Sequence, residues 1–252
     1  MQTYIKYLLE SAEESFKKTV ALVAGSYKPP TMGHLYMVQY YAEQADEVIV
    51  LISAPKSAKS VRKTALGTII TPEMSKQIWE IYLKKYGLKN VAVEVSSEAS
   101  PITAMFKYVD DNLKKVNVIF GVSKKGGDEA RFKSATRYYE DNPDINLLDP
   151  IETAVEPYKS EDGKAVSATD IRDNLDKPDV VKTMLPDKLG PSEIKKVIEI
   201  LSSGPKESLE EDDEEQEVDE ESMEPVDETE CIHLNINDDV LKTAIIRAYN
   251  TN

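Results

Sequence analysis

The chain has 252 residues, is 40% hydrophobic and 31% charged, and carries one cysteine and a formal net charge of −15. A single thiol excludes an internal disulfide, and no apolar run approaches the ~20 residues of a membrane span. The composition therefore suits a soluble, cytoplasmic-type protein with no membrane partner, and "MQTYIKYLLESAEESFKK" at the start lacks the continuous apolar stretch of a secretory signal.

The negative charge is local. Residues 205–230 hold fifteen Asp and Glu against one Lys, so −14 of the −15 belongs to that stretch and the rest of the chain is near neutral. Like charges at this density repel and bury no core, which reads as a disordered linker. A near-neutral body argues against general nucleic-acid binding.

In chain order, residues 1–18 contain a short amphipathic helix with apolar Tyr4, Ile5, Leu8 and Leu9. "TVALVAG" from Thr19 is a buried strand, followed by an amphipathic helix from Gly33 to Ala45 and a second buried strand, "DEVIVLIS". "TPEMSKQIWEIYLKKYG" opens on a Thr-Pro cap and stops at Gly87, a helix with both boundary signals. "NVAVEVS" is a third strand, "PITAMFKYVDDNLKK" a helix and "VNVIFGVS" a fourth strand; a helix within 128–140 and a fifth strand, "INLLDP", follow. Short β-branched runs alternating with helices predict an α/β fold, a Rossmann-like parallel sheet with helices on both faces. "SATDIRDNLD", "DVVKTML" and "GPSEIKKVIEILSSG" are further helices that end the main domain, 19–204. After the linker, residues 231–252 are too short to fold alone and read as a docking segment or as a piece that returns to the main body.

In open α/β sheets, ligands sit beyond the carboxyl ends of the strands, so the loop after the first strand, "GSYKPPTMGHL", is the expected ligand position. Gly25 permits a tight exit or close approach of a ligand. Pro29 and Pro30 stiffen the turn, and Gly33 bares the first helical turn, where free N–H groups favour phosphate. Thr31 and His34, three apart, can project from one side of that turn and donate to phosphate oxygens.

This loop, from Gly25 through Ser26, Tyr27 and Thr31 to His34, resembles the signature of the nucleotidylyltransferase superfamily, the adenylyl- and cytidylyltransferases with a G-x-F-x-P-[TH]-x-G-H loop after strand one. The threonine form is most similar to the phosphopantetheine adenylyltransferase type. Tyr27 stands in place of Phe, and Lys28 replaces an aspartate common in that group. Downstream, "VSATDIR" is similar to the family's I-S-S-T-x-I-R motif: Ser167, Thr169 and Arg172 keep its chemistry, while Ala168 lacks the second hydroxyl.

The resemblance implies transfer of a nucleoside monophosphate, AMP rather than CMP, from ATP or CTP with Mg²⁺ to a phosphorylated small-molecule acceptor, with pyrophosphate released. It implies that His34 and Thr31 contact the α- and β-phosphates and that Arg172 grips the β/γ end. Lys56, in "ISAPKSAKS" after strand two, is placed like the acceptor-binding lysine, with Lys59 and Arg62 beside it. Gly121 opens "GVSKKGGDEARF", a loop able to approach the base or triphosphate. No protein-held metal is expected, since no Cys/His cluster has zinc spacing. Nicotinamide mononucleotide, a pantetheine phosphate, and a sugar or polyol phosphate all remain open as acceptors.

The first residues are similar to the capsid-targeting peptides of internal head proteins of contractile-tailed bacteriophages, with "LLE", Leu8 to Glu10, as the cleavage point. That resemblance implies prohead or scaffold proteins as partners, and a location in the host cytoplasm or the phage head interior. The opposing expectation is a non-catalytic head-associated protein that retains a transferase fold.

Overall fold

The structure, a computed structural model, describes residues 18–54, 61–124, 132, 135–158 and 166–205. The N-terminal peptide with Glu10, the loop lysines Lys56 and Lys59, the acidic stretch and the C-terminal segment lie outside these residues.

Five described strands, β1 (Lys18–Gly25), β2 (Glu47–Ser53), β3 (Val91–Ser96), β4 (Val116–Phe120) and β5 (Ile145–Leu147), form one sheet in the order β3-β2-β1-β4-β5. Every pairing is parallel. Seven described helices accompany them: α1 (Met32–Ala42), α2 (Pro72–Tyr86), α3 (Pro101–Asn112), α4 (Ala135–Tyr139), α5 (Ala168–Asp173), α6 (Pro178–Lys182) and α7 (Pro191–Ser202). The expected α/β, Rossmann-like parallel sheet is the architecture found. Among the described residues no helix is long and apolar enough to cross a membrane.

The period of two along β1 sends its side chains into two separate cores. Ala21 and Val23 pack with Leu35 and Val38 of α1, Trp79 of α2 and Val197 of α7. Val20 and Leu22 pack with Met105 and Val109 of α3 and with Phe120. All four β1 residues are fully buried, which is why this strand reads as a continuous apolar run rather than an alternating one.

Three boundaries differ from the sequence expectation. α1 stops at Ala42, about one turn short of Ala45, because the N–H groups of Gln44 and Ala45 both bond to the Tyr41 carbonyl and the Asp46 carboxylate accepts from Thr19 N–H at 2.7 Å. That contact delivers the chain into β2. α3 ends at Asn112, with Leu113 already extended. β4 ends at Phe120 rather than Ser123, because the Val122 N–H turns away from the ladder to the Tyr41 hydroxyl at 3.1 Å. Helix α2 follows its signals closely: the Thr71 hydroxyl accepts from Met74 N–H, and Gly87 adopts the left-handed conformation (φ +68°) that favours glycine.

Gly121, directly after β4, sits where a Cβ would lie 2.7 Å from Val23 Cγ2, 3.0 Å from Tyr41 Cε2 and 3.1 Å from the Leu22 carbonyl oxygen. The backbone oxygen cannot move without disturbing the sheet. Gly121→Ala should therefore destabilise the fold by about 1–3 kcal/mol, read as a lower denaturant midpoint at unchanged slope.

Candidate functional site

The sheet order places β1 between β2 and β4, so the connections after β1 and β4 leave on opposite sides and open a crevice at their carboxyl ends. Two cavities meet there. The larger, about 710 Å³, is bounded mainly by apolar groups and small residues, including Gly25, Gly33, Met105, Gly121, Phe132 and Tyr158. The smaller, about 440 Å³, is lined by Ser26, Ser53, Thr169, Lys28, Arg62 and Arg172, among others. Tyr27 and His34 line both.

The loop after β1 is held from several directions. Tyr27 has φ +44°, a conformation in which a residue with a side chain is strained. Its ring folds back onto β1: the hydroxyl donates to the Val23 carbonyl at 2.9 Å, and the ring meets His34 and Trp79 edge to face. A Cβ on Gly25 would approach Tyr27 Cε1 and Cζ to 2.9 Å, so the first glycine of the loop is dictated by this ring. Three loop carbonyls receive side-chain donors. Ser75 Oγ of α2 donates to Tyr27 O at 2.6 Å, Arg172 Nη1 of α5 to Lys28 O at 2.6 Å, and the Tyr82 hydroxyl to Pro30 O at 3.4 Å. Burial pushes the Tyr27 and Tyr82 phenols well above the usual range, so both stay protonated as donors.

Thr31 is the residue that caps α1, and its backbone N–H donates to His34 Nδ1 at 3.0 Å. A backbone N–H has a fixed proton, so Nδ1 must present its lone pair, and the neutral imidazole carries its proton on Nε2. The Thr31 hydroxyl also lies 3.0 Å from Nδ1. Thr31 thus orients His34. Gly33 differs from Gly25 and Gly121: a Cβ there would meet only ordinary contacts, 3.8 Å from Thr31 Oγ1 and 3.9 Å from Tyr158 Cβ. The protein's own packing does not demand glycine at 33.

On α5, Arg172 Nη2 donates to Thr169 Oγ1 at 2.8 Å while Nη1 holds Lys28 O, so the second motif is tied to the first loop across 144 positions of sequence. Ser167 has another task. It caps α5, donating from N–H and Oγ to the Asp170 carboxylate at 2.8 and 2.7 Å and accepting from Asp170 N–H at 3.1 Å. Those bonds hold the Asp170 carboxyl below the usual range. Ser167 lines neither cavity; its neighbours Ala168 and Thr169 line the smaller one.

Lys28 is only 8% exposed. Burial, and then the positive charges of Arg62 and Arg172, push its ammonium below the usual lysine range. Burial likewise lowers Arg172, with Arg62 contributing and Asp173 opposing. Among the described residues no carboxylate lines the smaller cavity, and no group of three or more His, Cys, Asp and Glu is arranged to hold a metal ion. Three of its described lining residues, Lys28, Arg62 and Arg172, are basic.

Sequence reasoning named Gly25, Ser26, Tyr27, Thr31, Gly33, His34, Gly121, Thr169 and Arg172, and all line one or both cavities. It missed Ser53, at the carboxyl end of β2, and Tyr158, whose ring lies 5.5 Å from that of Tyr36 at the larger cavity. It also missed Tyr41. That hydroxyl reaches Val122 O at 3.0 Å and Thr153 O at 2.9 Å, tying cavity-lining Val122 to the turn at Thr153, and burial pushes its pKa up to about 12. An apolar-periodic tyrosine in a helix carries no signal of such a contact. Strand order alone could have pointed to Ser53.

No family model and no curated protein matches the chain. Among solved structures it is similar to a candidate nicotinate-nucleotide adenylyltransferase from Vibrio parahaemolyticus, at 14% identity and a TM-score of 0.48, over 72% of this chain and 99% of that one. It is also similar to a bifunctional NMN adenylyltransferase/ADP-ribose pyrophosphatase from Francisella tularensis complexed with AMP and manganese, at 17% identity and a TM-score of 0.44. That match covers 73% of this chain and 52% of the bifunctional one.

Because the Arg172 guanidinium bonds the Lys28 carbonyl, Arg172→Met should loosen the first loop even without ligand. A hydrogen bond from a charged donor is worth enough that amide exchange at Thr31 should speed up by roughly 10-fold or more. Unchanged exchange at Thr31 would mean that α5 does not hold the loop.

Proposed function

We propose that the protein is a nucleotidylyltransferase that moves a nucleoside monophosphate, AMP in preference to CMP, from a nucleoside triphosphate onto a phosphorylated small molecule. The observation that carries this reading is His34. It is fixed by Thr31 as an Nε2–H donor and lines both an apolar cavity and a cationic one. A nucleoside fits the first and its phosphates the second, so the α-phosphorus falls near the imidazole.

In this reaction an acceptor phosphate oxygen attacks the α-phosphorus, the bond from that phosphorus to the bridging oxygen of the β-phosphate breaks, and pyrophosphate leaves with the bond's electrons. No enzyme nucleophile is required; catalysis rests on alignment and on donors aimed at oxygens that gain charge. His34 Nε2–H donates to an α-phosphate oxygen. Arg172 has N–H groups beyond the two spent on Lys28 O and Thr169 Oγ1, and its planar fork suits the β- and γ-phosphates. With Gly33 lacking a side chain, the first turn of α1 can lie against a phosphate. A magnesium ion enters as part of the substrate, ligated by triphosphate oxygens, which fits a smaller cavity whose described lining includes Ser, Thr, Lys and Arg residues and no carboxylate. Lys56 is assigned to the acceptor by sequence resemblance, as is removal of residues 1–10 at a prohead; intact mass of the protein in particles would read that removal directly.

The test is pyrophosphate release from ATP and from CTP with Mg²⁺ against a panel of phosphorylated acceptors. His34→Ala should lower turnover by at least ~10²-fold with the fold intact. Nucleotide binding without turnover on any acceptor would sink the assignment in favour of a non-catalytic protein. Equal turnover by the His34→Ala variant would remove the histidine from its role.

A further inference from the structure

Residues 155–158 are held beside the end of β4 and line the larger cavity. Val155 N–H donates to the Val122 carbonyl at 3.0 Å, Lys124 N–H donates to the Val155 carbonyl at 3.0 Å, and Ser123 and Val155 form an isolated parallel bridge. Glu156 comes next in the chain, followed by Pro157, whose ring fixes one backbone angle. Among the described residues lining this cavity, Glu156 is the acidic one. Its side chain is 72% exposed, and its Oε1 accepts from Lys124 Nζ at 2.7 Å. That ion pair orients the carboxylate, which as a group accepts hydrogen bonds at both oxygens.

With its phosphates beside His34 and the first turn of α1, on the β1 side of the crevice, a nucleotide carries its base toward the β4 side. Tyr36 and Tyr158, their rings 5.5 Å apart, give a base aromatic surface to lie against. Stacking of this kind accepts any base, because every base has a π face. Discrimination needs a hydrogen bond to the base edge, and an ionised carboxylate accepts but cannot donate. We infer that Glu156 is the residue that determines specificity for the base: it accepts from the exocyclic amino group of adenine or cytosine and opposes the oxo group that guanine and uracil carry at the corresponding position. The inference rests on the nucleotidylyltransferase reading for the presence of a nucleoside triphosphate and goes beyond it in naming the residue that reads the base. The opposing role is mechanical, with the Lys124 ion pair tying residues 155–158 to the end of β4 and the carboxylate touching no ligand.

Calorimetric binding of ATP and of inosine triphosphate, each with Mg²⁺, to the full-length protein separates the two roles, because these nucleotides differ in an amino against an oxo group on the same ring carbon. The wild-type protein should bind ATP at least ~10-fold more tightly, the worth of a hydrogen bond to a charged acceptor. Glu156→Gln should narrow that preference to within about 3-fold, since an amide donates to an oxo group as readily as it accepts from an amino group. Lys124→Met removes the ion pair but leaves the carboxylate, so the preference for ATP should persist; its loss in this variant, with Glu156 intact, would favour the mechanical role. Thermal melts check that both variants fold. The affinity lost on replacing ATP by 2′-deoxy-ATP should be the same in wild type and Glu156→Gln; a loss confined to wild type would assign the carboxylate to the ribose and overturn its role at the base. An unchanged preference for ATP in Glu156→Gln, or equal binding of the two nucleotides by wild type, would remove Glu156 from base recognition and leave the transferase reading intact. A wild-type protein that binds neither nucleotide would overturn both.

Discussion

The contact on which the site depends is the bond from the Arg172 guanidinium to the Lys28 carbonyl. The loop after β1 contains two prolines and a tyrosine at positive φ, and it has no regular ladder to hold its carbonyls. Side chains supply that order instead. Ser75 and Tyr82 reach it from α2, Arg172 from α5, and the Tyr27 ring packs between His34, Trp79 and the bare backbone of Gly25. Each donor satisfies a carbonyl that would otherwise be costly to hide from water. The strain at Tyr27 persists because the surroundings over-determine it. The result is a pre-positioned loop with its imidazole already in one tautomer.

Two cavities share that imidazole. Mainly apolar groups bound one, and Lys28, Arg62 and Arg172 line the other, to which no described residue contributes a carboxylate. Where water is displaced, donors and charges act on a phosphate more strongly than they would at an open surface.

Several motif residues also serve the architecture of the site. Gly25 makes room for the Tyr27 ring, Gly121 for Val23 and Tyr41, and Thr31 and Ser167 cap the helices that follow them. Gly33 is the exception, since packing leaves space for a methyl group there. A short motif is thus a mixture of two kinds of requirement, and only the contacts around each residue sort them.

The sheet and its helices were legible in the sequence because their signals are local. β1 and β2 are buried on both faces and so read as unbroken β-branched runs, and α2 carries its Thr-Pro start and glycine stop within seventeen residues. The first loop and the segment around Arg172 were legible too, as spaced residue types. What the tertiary structure alone decided is which of these meet and what each side chain is spent on. The bond from Arg172 to Lys28 O spans 144 positions, and the Tyr41 hydroxyl that ends β4 early spans 81. The convergence of Lys28 and Arg62 on one cavity follows from strand order and from the fold of the 62–70 turn, where Thr64 and Thr68 pair and Ala65 N–H bonds the Arg172 carbonyl. Periodicity encodes which face of an element is buried. It does not encode the partner that face will find, since that depends on how distant elements pack.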